Sequence, residues 1–490
     1  MTNTLKRPQP SINGQPPRAR RGLATRMSPV GLPADRLAVG KGQRQTSPLA
    51  DHAWVPPPAA RRDPIVLLEE QATERVPELV PIRYGRMMVT PFTFYRGAAR
   101  VMASDLALGP STDLTVQLCG DAHLSNFGLF ASPERRLMFD ANDFDETLPG
   151  PFEWDLKRLV ASLAVAARGS GFSRKQRRAI VIGTVARYRA AMAEFAGMRA
   201  IDIWYSRLDT DDIERQLAPQ LDLKRQKLMR KTFARARTRD SMQALGKLTE
   251  TVNGRWRLAG DPPLIMPLRD LLPETEEEDL QDRFRALIGQ YRRTLESDRR
   301  VLLENYQFVD MARKVVGVGS VGTRCWIVLL TGRDQNDPLF LQIKEATKSV
   351  LAEFLGRSEH LNQGQRVVHG QRLMQQASDI FLGWQRTVGI DDVQRDFYFR
   401  QLRDWKGGVE VEALLPKGLQ YYGGLCAWSL ARAHARSGDP IAIAGYLGSS
   451  DAFDRALADF AESYADLNEQ DHQTLVAAAT AGTVAVRDGL

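Results

Sequence analysis

GDAHLSN at residues 120–126 and NDFDE at residues 142–146 are the stretches from which we predict the fold of this chain. An Asp and an Asn that lie five residues apart on one loop, here Asp121 and Asn126, can face the same point. The Asp can orient or deprotonate a hydroxyl, while the Asn amide oxygen binds a hard cation. Asp143 supplies a further ligand, and Mg²⁺ completes its shell with water and substrate phosphate. The pattern therefore predicts a site that binds magnesium and phosphate.

The same acids could instead cap helices and close turns, which is an ordinary use of Asp and Asn. Asp155 fits that alternative, since it stands where a helix starts after Pro149-Gly150-Pro151. For Asp121, Asn126 and Asp143 together we favour the functional interpretation, because acids and an Asn crowd one turn-rich stretch.

Periodicity around these stretches predicts mixed secondary structure. Alternation over 114–119 indicates a strand, and the apolar runs at 127–130 and 137–139 indicate a hairpin. Residues 310–405 are rich in short β-like runs. Long helices are predicted where apolar residues recur with helical spacing, over 181–195, 280–295 and 419–436. The expected fold class is therefore α+β.

The acidic residues resemble the catalytic loop of protein kinases and of aminoglycoside-phosphotransferase-like kinases. That loop has an Asp, four residues and an Asn, followed by a hairpin, an Asp-Phe motif and, in the small-molecule kinases, an Asp-Leu pair. Asp121, Asn126, Asp143 and Asp155 match this order and spacing. Cys119 departs from it, because it stands where those kinases have His or Arg. The resemblance implies a two-lobed, protein-kinase-like fold that binds ATP and Mg²⁺.

A glycine-rich stretch, GVGSVG at 317–322, has the G-x-G-x-x-G spacing, which alone is a weak signal. Strands are predicted on both sides of it, at 313–316 and 325–330. It is therefore similar to the phosphate-covering loop of kinases, whereas a dinucleotide-binding fingerprint opens a helix. Lys344, at the end of the run 341–344, resembles the kinase Lys that holds the α- and β-phosphates. The simpler alternative is a glycine hairpin beside a surface lysine.

The resemblance implies a role for each candidate residue. Asp121 would position the acceptor. The metal would be held by Asn126, Asp143 and Asp145. The nucleotide would be bound by Gly317, Gly319, Ser320, Gly322 and Lys344. Glu353 would pair with Lys344, with Glu359 as the second choice.

The order of the motifs suggests a circular permutation. Kinases place the glycine-rich loop and the Lys before the catalytic Asp, whereas here Asp121 and Asp143 come first. Joined termini and a new start would reconcile the two orders, because domain termini are often close together. The expected units are an arm at 1–62, a helical lobe at 63–309, a small β-rich lobe at 310–405 and C-terminal helices at 406–490 that complete the large lobe.

From about residue 60 to its end, the chain is also similar to a bacterial domain family of unknown function, number 2252. The resemblance rests on PIRYGRM at 81–87, Pro91-Phe92, Arg96-Gly97 and the two acidic motifs. It implies membership and no particular activity. Arg83, Arg86 and Arg96 could bind a phosphate or carboxylate on a substrate, or could pair with Asp143 or Asp145 within the protein.

Charge is concentrated at the N-terminus. The chain of 490 residues has a net charge of +8, but residues 1–62 alone carry 11 Lys and Arg against two Asp. This segment also contains 10 of the 26 Pro residues, so we expect a disordered basic arm. Such an arm solubilises the protein or makes weak, salt-dependent contacts with anionic polymers. A second basic run, at 224–239, indicates a solvated helix face or, alternatively, a phosphate-rich partner.

Composition excludes several other classes. No apolar run approaches the ~20 residues that cross a bilayer, so no membrane partner is expected. Cys119, Cys325 and Cys426 are odd in number and far apart, which favours a reducing cytoplasm over a disulfide framework. The six His residues lack the spacing of a zinc hydrolase.

Three functions fit these observations. The first is an ATP- and Mg²⁺-dependent phosphotransferase whose acceptor is unknown. The second is a nucleotide-binding scaffold of the pseudokinase type, without transfer. The third, a metal-dependent phosphoesterase, rests on the resemblance of Gly120-Asp121-Ala122-His123 to the opening of such enzymes. It lacks the further His and Asn ligands that such enzymes need.

Overall fold

The computed structural model describes residues 31–220, 222–272, 277–402, 404–487 and 489. The fold is mixed α+β, with a large helical part and a smaller six-stranded sheet, as the fold class predicted. No helix in the described ranges combines the length and the apolar composition that a membrane span requires.

Helices make up most of the described chain. Numbered in chain order, they are α1 (Pro33–Thr46), α2 (Pro64–Ala72), α3 (Val80–Met88), α4 (Pro91–Gly97), α5 (Ala99–Ala107), α6 (Glu153–Gly169), α7 (Arg174–Ala196), α8 (Ala200–Tyr205), α9 (Thr210–Leu217), α10 (Leu223–Arg237), α11 (Ser241–Leu248), α12 (Leu268–Leu271), α13 (Glu277–Tyr291), α14 (Ser297–Glu304), α15 (Ala352–Leu355), α16 (Gln363–Met374), α17 (Pro416–Ser437), α18 (Pro440–Leu447) and α19 (Ala452–Thr480). Several begin with Pro at the first or second position, where its missing N–H costs nothing.

The strands form one six-stranded sheet and three two-stranded pairs. They are β1 (Thr115–Leu118), β2 (Phe127–Ala131), β3 (Leu137–Ala141), β4 (Leu148–Pro151), β5 (Thr249–Val252), β6 (Arg255–Leu258), β7 (Ile265–Pro267), β8 (Gln307–Lys314), β9 (Cys325–Thr331), β10 (Pro338–Glu345), β11 (Gly383–Val388) and β12 (Gln394–Gln401). The predicted strand at 114–119 and the predicted hairpin of β2 and β3 are confirmed.

The six-stranded sheet is antiparallel throughout, in the order β11-β12-β10-β9-β8-β7. Strand β10, in the interior of the sheet, is buried at every position, including its polar residues Gln342, Lys344 and Glu345. The register places Lys344 on β10 opposite Tyr398 on β12 and Cys325 on β9. The lysine therefore lies in the middle of the sheet.

The predicted boundary at residue 310 needs a correction. Strand β7, at 265–267, already belongs to the six-stranded sheet. The ring of Tyr291, at the end of α13, stacks on Phe399 of β12 at 4.0 Å between centroids. The sheet unit thus includes residues that we assigned to the helical lobe. The sequence could not show this, because the helical period of 280–295 indicates an apolar face but not the element that covers it.

The expected disorder of the N-terminal arm is wrong for the described residues 31–62. Residues 33–46 form α1, and Arg36 Nη2 lies 2.6 Å from Asp439 Oδ1 at the start of α18. Arg61 pairs with Asp105 Oδ2 at 2.8 Å and with Asp471 Oδ2 at 2.7 Å. The basic residues of this segment therefore find acidic partners far along the chain, which composition alone does not reveal. Residues 1–30 lie outside the described residues.

Two glycines let α1 pack closely on α18. A Cβ at Gly40 would lie 1.8 Å from the carbonyl oxygen of Ala442, and one at Gly445 would lie 2.4 Å from the carbonyl oxygen of Leu37. The backbones of the two helices are therefore in direct contact. The segment gains stability from close packing and paired charges, which outweigh its low apolar content.

Candidate functional site

The acidic stretches, the glycine-rich loop and the helices before them surround one cleft of about 500 Å³. The predicted site residues that line it are Asp121, Asn126, Asp143, Asp145, Gly317, Gly319, Ser320 and Glu353. Lys344 is buried directly behind it, with Nζ 3.7 Å from Asp143 Oδ2. Gly322 lies at the far end of the loop and packs against the side chain of Arg75. Motifs that are distant in sequence thus meet at one place.

The backbone before Asp121 is shaped by a glycine and an aspartate. Gly120 has φ +85°, and a Cβ there would lie 2.3 Å from the carbonyl oxygen of Glu146, so only Gly fits. The N–H groups of Cys119 and Gly120 donate to the two carboxylate oxygens of Asp155, at 2.8 and 3.0 Å. Asp155 was a candidate helix cap. Its side chain instead binds the loop, although it lies in the first turn of α6.

Asp121 is held by an arginine that we did not predict. Arg158 of α6 contacts Asp121 Oδ1 through Nε at 2.9 Å and through Nη2 at 2.8 Å. Its guanidinium also lies 3.8 Å from the ring centroid of Tyr95. The closest described partner of Asp121 Oδ2 is His123 Nε2, at 3.6 Å, which leaves this oxygen available to a ligand in the cleft. The spacing of Asp155 and Arg158 on one helical face was the available signal.

Burial raises the pKa of Asp121, and the nearby Arg158 guanidinium only partly offsets this. Burial together with Arg158 lowers the pKa of His123 well below its usual value, so His123 is neutral. Burial thus favours the neutral form of both side chains, and it makes the Asp121 carboxylate a stronger proton acceptor than an ordinary Asp.

Asn126 is oriented by its own loop. Its Nδ2 donates to the carbonyl oxygen of Asp121 at 2.8 Å, which leaves Oδ1 as the free acceptor of the side chain. The N–H of Asn142 donates to the carbonyl oxygen of Asn126 at 2.8 Å, so the two acidic stretches are joined directly.

Lys344 pairs with the second acidic stretch. Its Nζ lies 2.5 Å from Asp145 Oδ2, and the Tyr398 hydroxyl donates to Asp145 Oδ1 at 2.6 Å. Burial alone would lower the pKa of Lys344, but Asp143 and Asp145 outweigh it and raise that pKa well above its usual value. Burial likewise opposes ionisation of Asp145, yet Lys344 and Tyr398 lower the pKa of Asp145. The lysine is therefore a cation and Asp145 an anion.

The predicted partner of Lys344 is wrong. Glu353 pairs instead with Arg62 at 2.9 Å and with Arg100 at 3.0 Å, and Glu359 lies beside His360. Asp145, which we assigned to the metal, has one oxygen on Lys344 and the other on Tyr398. A metal-binding role for Asp145 remains a prediction.

Helix α16 follows α15, the short helix that carries Glu353, and it places a cation beside the acidic stretch. All of its residues, Gln363–Met374, are described, and none is acidic. Arg366 of this helix is buried and donates to the carbonyl oxygens of Asp145 and Thr147, each at 2.8 Å. The helix therefore supports the backbone of the acidic stretch rather than the lysine side chain.

The N-terminal helices hold the glycine-rich loop. Arg86 Nη1 donates to the carbonyl oxygen of Gly317 at 2.6 Å, and Arg75 Nη1 donates to that of Val321. The N–H of Val76 donates to the carbonyl oxygen of Gly322 at 2.8 Å. The strand before the loop ends at Lys314, so the strand predicted at 313–316 is displaced. The loop is thus fixed by residues that precede it by more than 200 positions.

The donor atoms fit a magnesium ion that a phosphate ligand would help to hold. In the described ranges, no group of three or more His, Cys, Asp or Glu side chains is arranged to bind a metal by itself. The carboxylate of Asp143 and Oδ1 of Asn126 are hard oxygen donors on adjoining segments. Mg²⁺ usually takes only one or two carboxylates and keeps water and phosphate oxygens as its other ligands.

Between pH 5 and pH 8 we expect the wild type to lose stability relative to Glu146→Gln. Burial raises the pKa of Glu146 to about 7, partly opposed by Arg366 and by the N–H of Val350. Because the folded protein holds this proton more tightly than the unfolded chain, the contribution to stability is full below the ordinary pKa of 4.5 and is lost as the pH rises through about 7.

The expected difference in the free energy of unfolding is on the order of 1–3 kcal/mol, allowing for partial exposure. Urea denaturation of both proteins at the two pH values measures it. If both proteins show the same pH dependence of stability, the raised pKa of Glu146 is contradicted.

The fold and the cleft define a mixed α+β protein with a charged cleft built from a glycine-rich loop, a buried lysine and two acidic stretches. The chain belongs to the family DUF2252, described as an uncharacterized protein conserved in bacteria, whose model matches residues 75–478. The predicted family membership is therefore confirmed. No curated protein and no solved structure matches the chain.

Proposed function

We propose that the protein is an ATP- and Mg²⁺-dependent phosphotransferase of the protein-kinase-like class. One observation carries the proposal: Lys344 Nζ lies 3.7 Å from Asp143 Oδ2, so the late lysine adjoins an early acid that lines the cleft. A buried ammonium beside carboxylates suits a ligand that combines phosphates with a divalent cation.

The topology of the sheet supports this class. The glycine-rich loop joins β8 to β9, and the lysine lies on β10, the next strand. Protein kinases place their glycine-rich loop and their lysine on the first three strands in the same way. Here the sheet follows the acidic stretches in sequence, which supports a circular permutation. The departure is the partner of the lysine, since Asp145 takes the place of a glutamate on the following helix.

The chain's own residues suit an in-line transfer. An acceptor hydroxyl would attack the terminal phosphorus of ATP and lose its proton to Asp121 Oδ2, while the bond to the bridging oxygen breaks and ADP leaves. Lys344 and the loop amides would neutralise and cover the phosphates, and Arg158 would keep Asp121 in place. Mg²⁺, held by Asn126 and Asp143, would neutralise phosphate charge.

Mg²⁺ with ATP should raise the melting temperature of the wild type and not that of Asp143→Asn. Binding to the folded state alone stabilises a protein by ~2.7 kcal/mol when the ligand is at about 100 times its Kd. The Asn side chain keeps the shape of Asp143 but loses the charge that the metal needs. Thermal unfolding of both variants, with and without Mg²⁺ and ATP, measures the effect.

The matched control is Asp298→Asn, which removes an exposed carboxylate on α14, outside the cleft. It should respond to ATP like the wild type. A wild type whose melting temperature does not change with Mg²⁺ and ATP would contradict the proposed function.

A further inference from the structure

We infer that Arg96 contacts the terminal phosphoryl group of the nucleotide, the group that is transferred. The inference rests on the proposed function and adds a phosphoryl-binding residue to it. Arg96 is the last-but-one residue of α4 and lines the same cleft as Asp121 and Gly319.

The backbone of Arg96 lies between the phosphate-covering loop and the acceptor-positioning Asp. A Cβ at Gly319 would lie 3.1 Å from the carbonyl oxygen of Arg96. The preceding carbonyl, that of Tyr95, accepts a hydrogen bond from Arg158 at 2.6 Å, and Arg158 holds Asp121. In the proposed reaction the phosphoryl group passes between the loop and Asp121. The backbone of Arg96 therefore lies where its side chain can reach that group.

Among the described residues, no anion is hydrogen-bonded to Arg96 or forms an ion pair with it. Its Nε is buried and has no hydrogen-bond partner, and none of the ion pairs among the described residues includes it. Burial lowers its pKa, and the negative charges of Asp121 and Glu412 offset this only in part. A half-buried guanidinium without a bonded anion is costly, and a phosphate would remove the cost.

Two other arginines around the cleft, Arg100 and Arg75, are already engaged. Arg100 binds Glu70 at 2.7 Å and Glu353 at 3.0 Å, and Arg75 donates to the carbonyl oxygen of Val321. Arg96 therefore differs from these neighbours in having its donors available. A guanidinium matches phosphate oxygens bidentately, and an arginine on the transferred group is a known device of phosphoryl-transfer enzymes.

Isothermal titration calorimetry of Arg96→Gln should show whether Arg96 contributes to binding of the terminal phosphate and not to binding of the other two phosphates. The ligands are Mg²⁺ with the non-hydrolysable β,γ-imido analogue of ATP, and Mg²⁺ with ADP. We expect Arg96→Gln to weaken binding of the triphosphate by about tenfold or more, and to change binding of ADP less than about twofold. Arg96→Lys keeps the charge but not the planar guanidinium, so its affinity for the triphosphate should lie between those of the wild type and Arg96→Gln.

The matched control is Arg357→Gln, which removes one exposed positive charge from the rim of the same cleft and should change neither affinity by more than about twofold. Unliganded melting curves show whether Arg96→Gln is folded, and Arg96→Lys provides the second variant if it is not.

Equal losses for the triphosphate and for ADP, or no loss for either, would overturn the assignment of Arg96 while leaving nucleotide binding intact. A wild type that binds neither nucleotide would overturn the proposed function, and this inference with it.

Discussion

Replacement of Asp121 by Asn is expected to slow ATP turnover at least a hundredfold and to leave ATP binding intact. The Asn oxygen can still accept from Arg158, which contacts only Oδ1 of the Asp, so the loop should keep its conformation. The Asn cannot take a proton from the acceptor. Loss of a positioned general base costs about 10²–10⁴ in rate. Release of ADP, with water as the acceptor, measures turnover, and calorimetric titration measures binding.

Asp113→Asn is the matched control, because it removes an exposed carboxylate just before β1, the strand that leads to Asp121. It should turn over ATP at the wild-type rate. A full rate in Asp121→Asn would contradict the role of Asp121. If the wild type binds ATP but transfers its terminal phosphoryl group neither to water nor to any acceptor tested, the nucleotide-binding scaffold is favoured over the enzyme.

Replacement of Arg432 by Met is expected to lower the free energy of unfolding by about 3–5 kcal/mol. Arg432 lies on α17 and is completely buried. Its Nη2 donates to Asp140 Oδ2 on β3 at 2.7 Å and to the carbonyl oxygen of Met374 on α16 at 2.6 Å. The arginine therefore joins α17 to the β2–β3 hairpin and to the end of α16. Its removal leaves Asp140 as a buried carboxylate without its ion-pair partner.

Chemical denaturation of the variant measures the loss. Two nitrogens of Arg432 have no partner among the described residues, so part of the cost of burying the pair disappears with the arginine. The double variant Arg432→Met with Asp140→Leu should therefore recover most of the stability. The surface control Arg455→Met, whose pair with Asp451 is more than half exposed, should cost less than about 1 kcal/mol. A loss in Arg432→Met no larger than in this control would contradict the prediction.

Local features were predictable because they depend on neighbouring residues. Alternating apolar residues identify β1, and the apolar runs around a turn identify the hairpin of β2 and β3. Helical spacing identifies α7 and α17. The same logic failed for the arm, because composition predicted disorder where α1 packs on α18 through Gly40.

The partner of Lys344 shows the limit of a resemblance. A carboxylate soon after the lysine suggested Glu353, yet Arg62 and Arg100 compete for it. Asp145 is 199 residues away in sequence and lies at 2.5 Å in space. Arg158 was equally hidden, since its role depends on the residue that it faces and not on its neighbours in the chain.

The sequence alone predicted the α+β class, the family and the chemical groups that the site can use. It did so because residue types and their spacing report local burial, turns and ligand chemistry. The folded structure was needed to show that Lys344 pairs with Asp145 and that Arg158 holds Asp121. It also decided that Arg96 has no described anion as its partner. Interactions between charges depend on distance and burial in space, and these quantities exist only after the chain has folded.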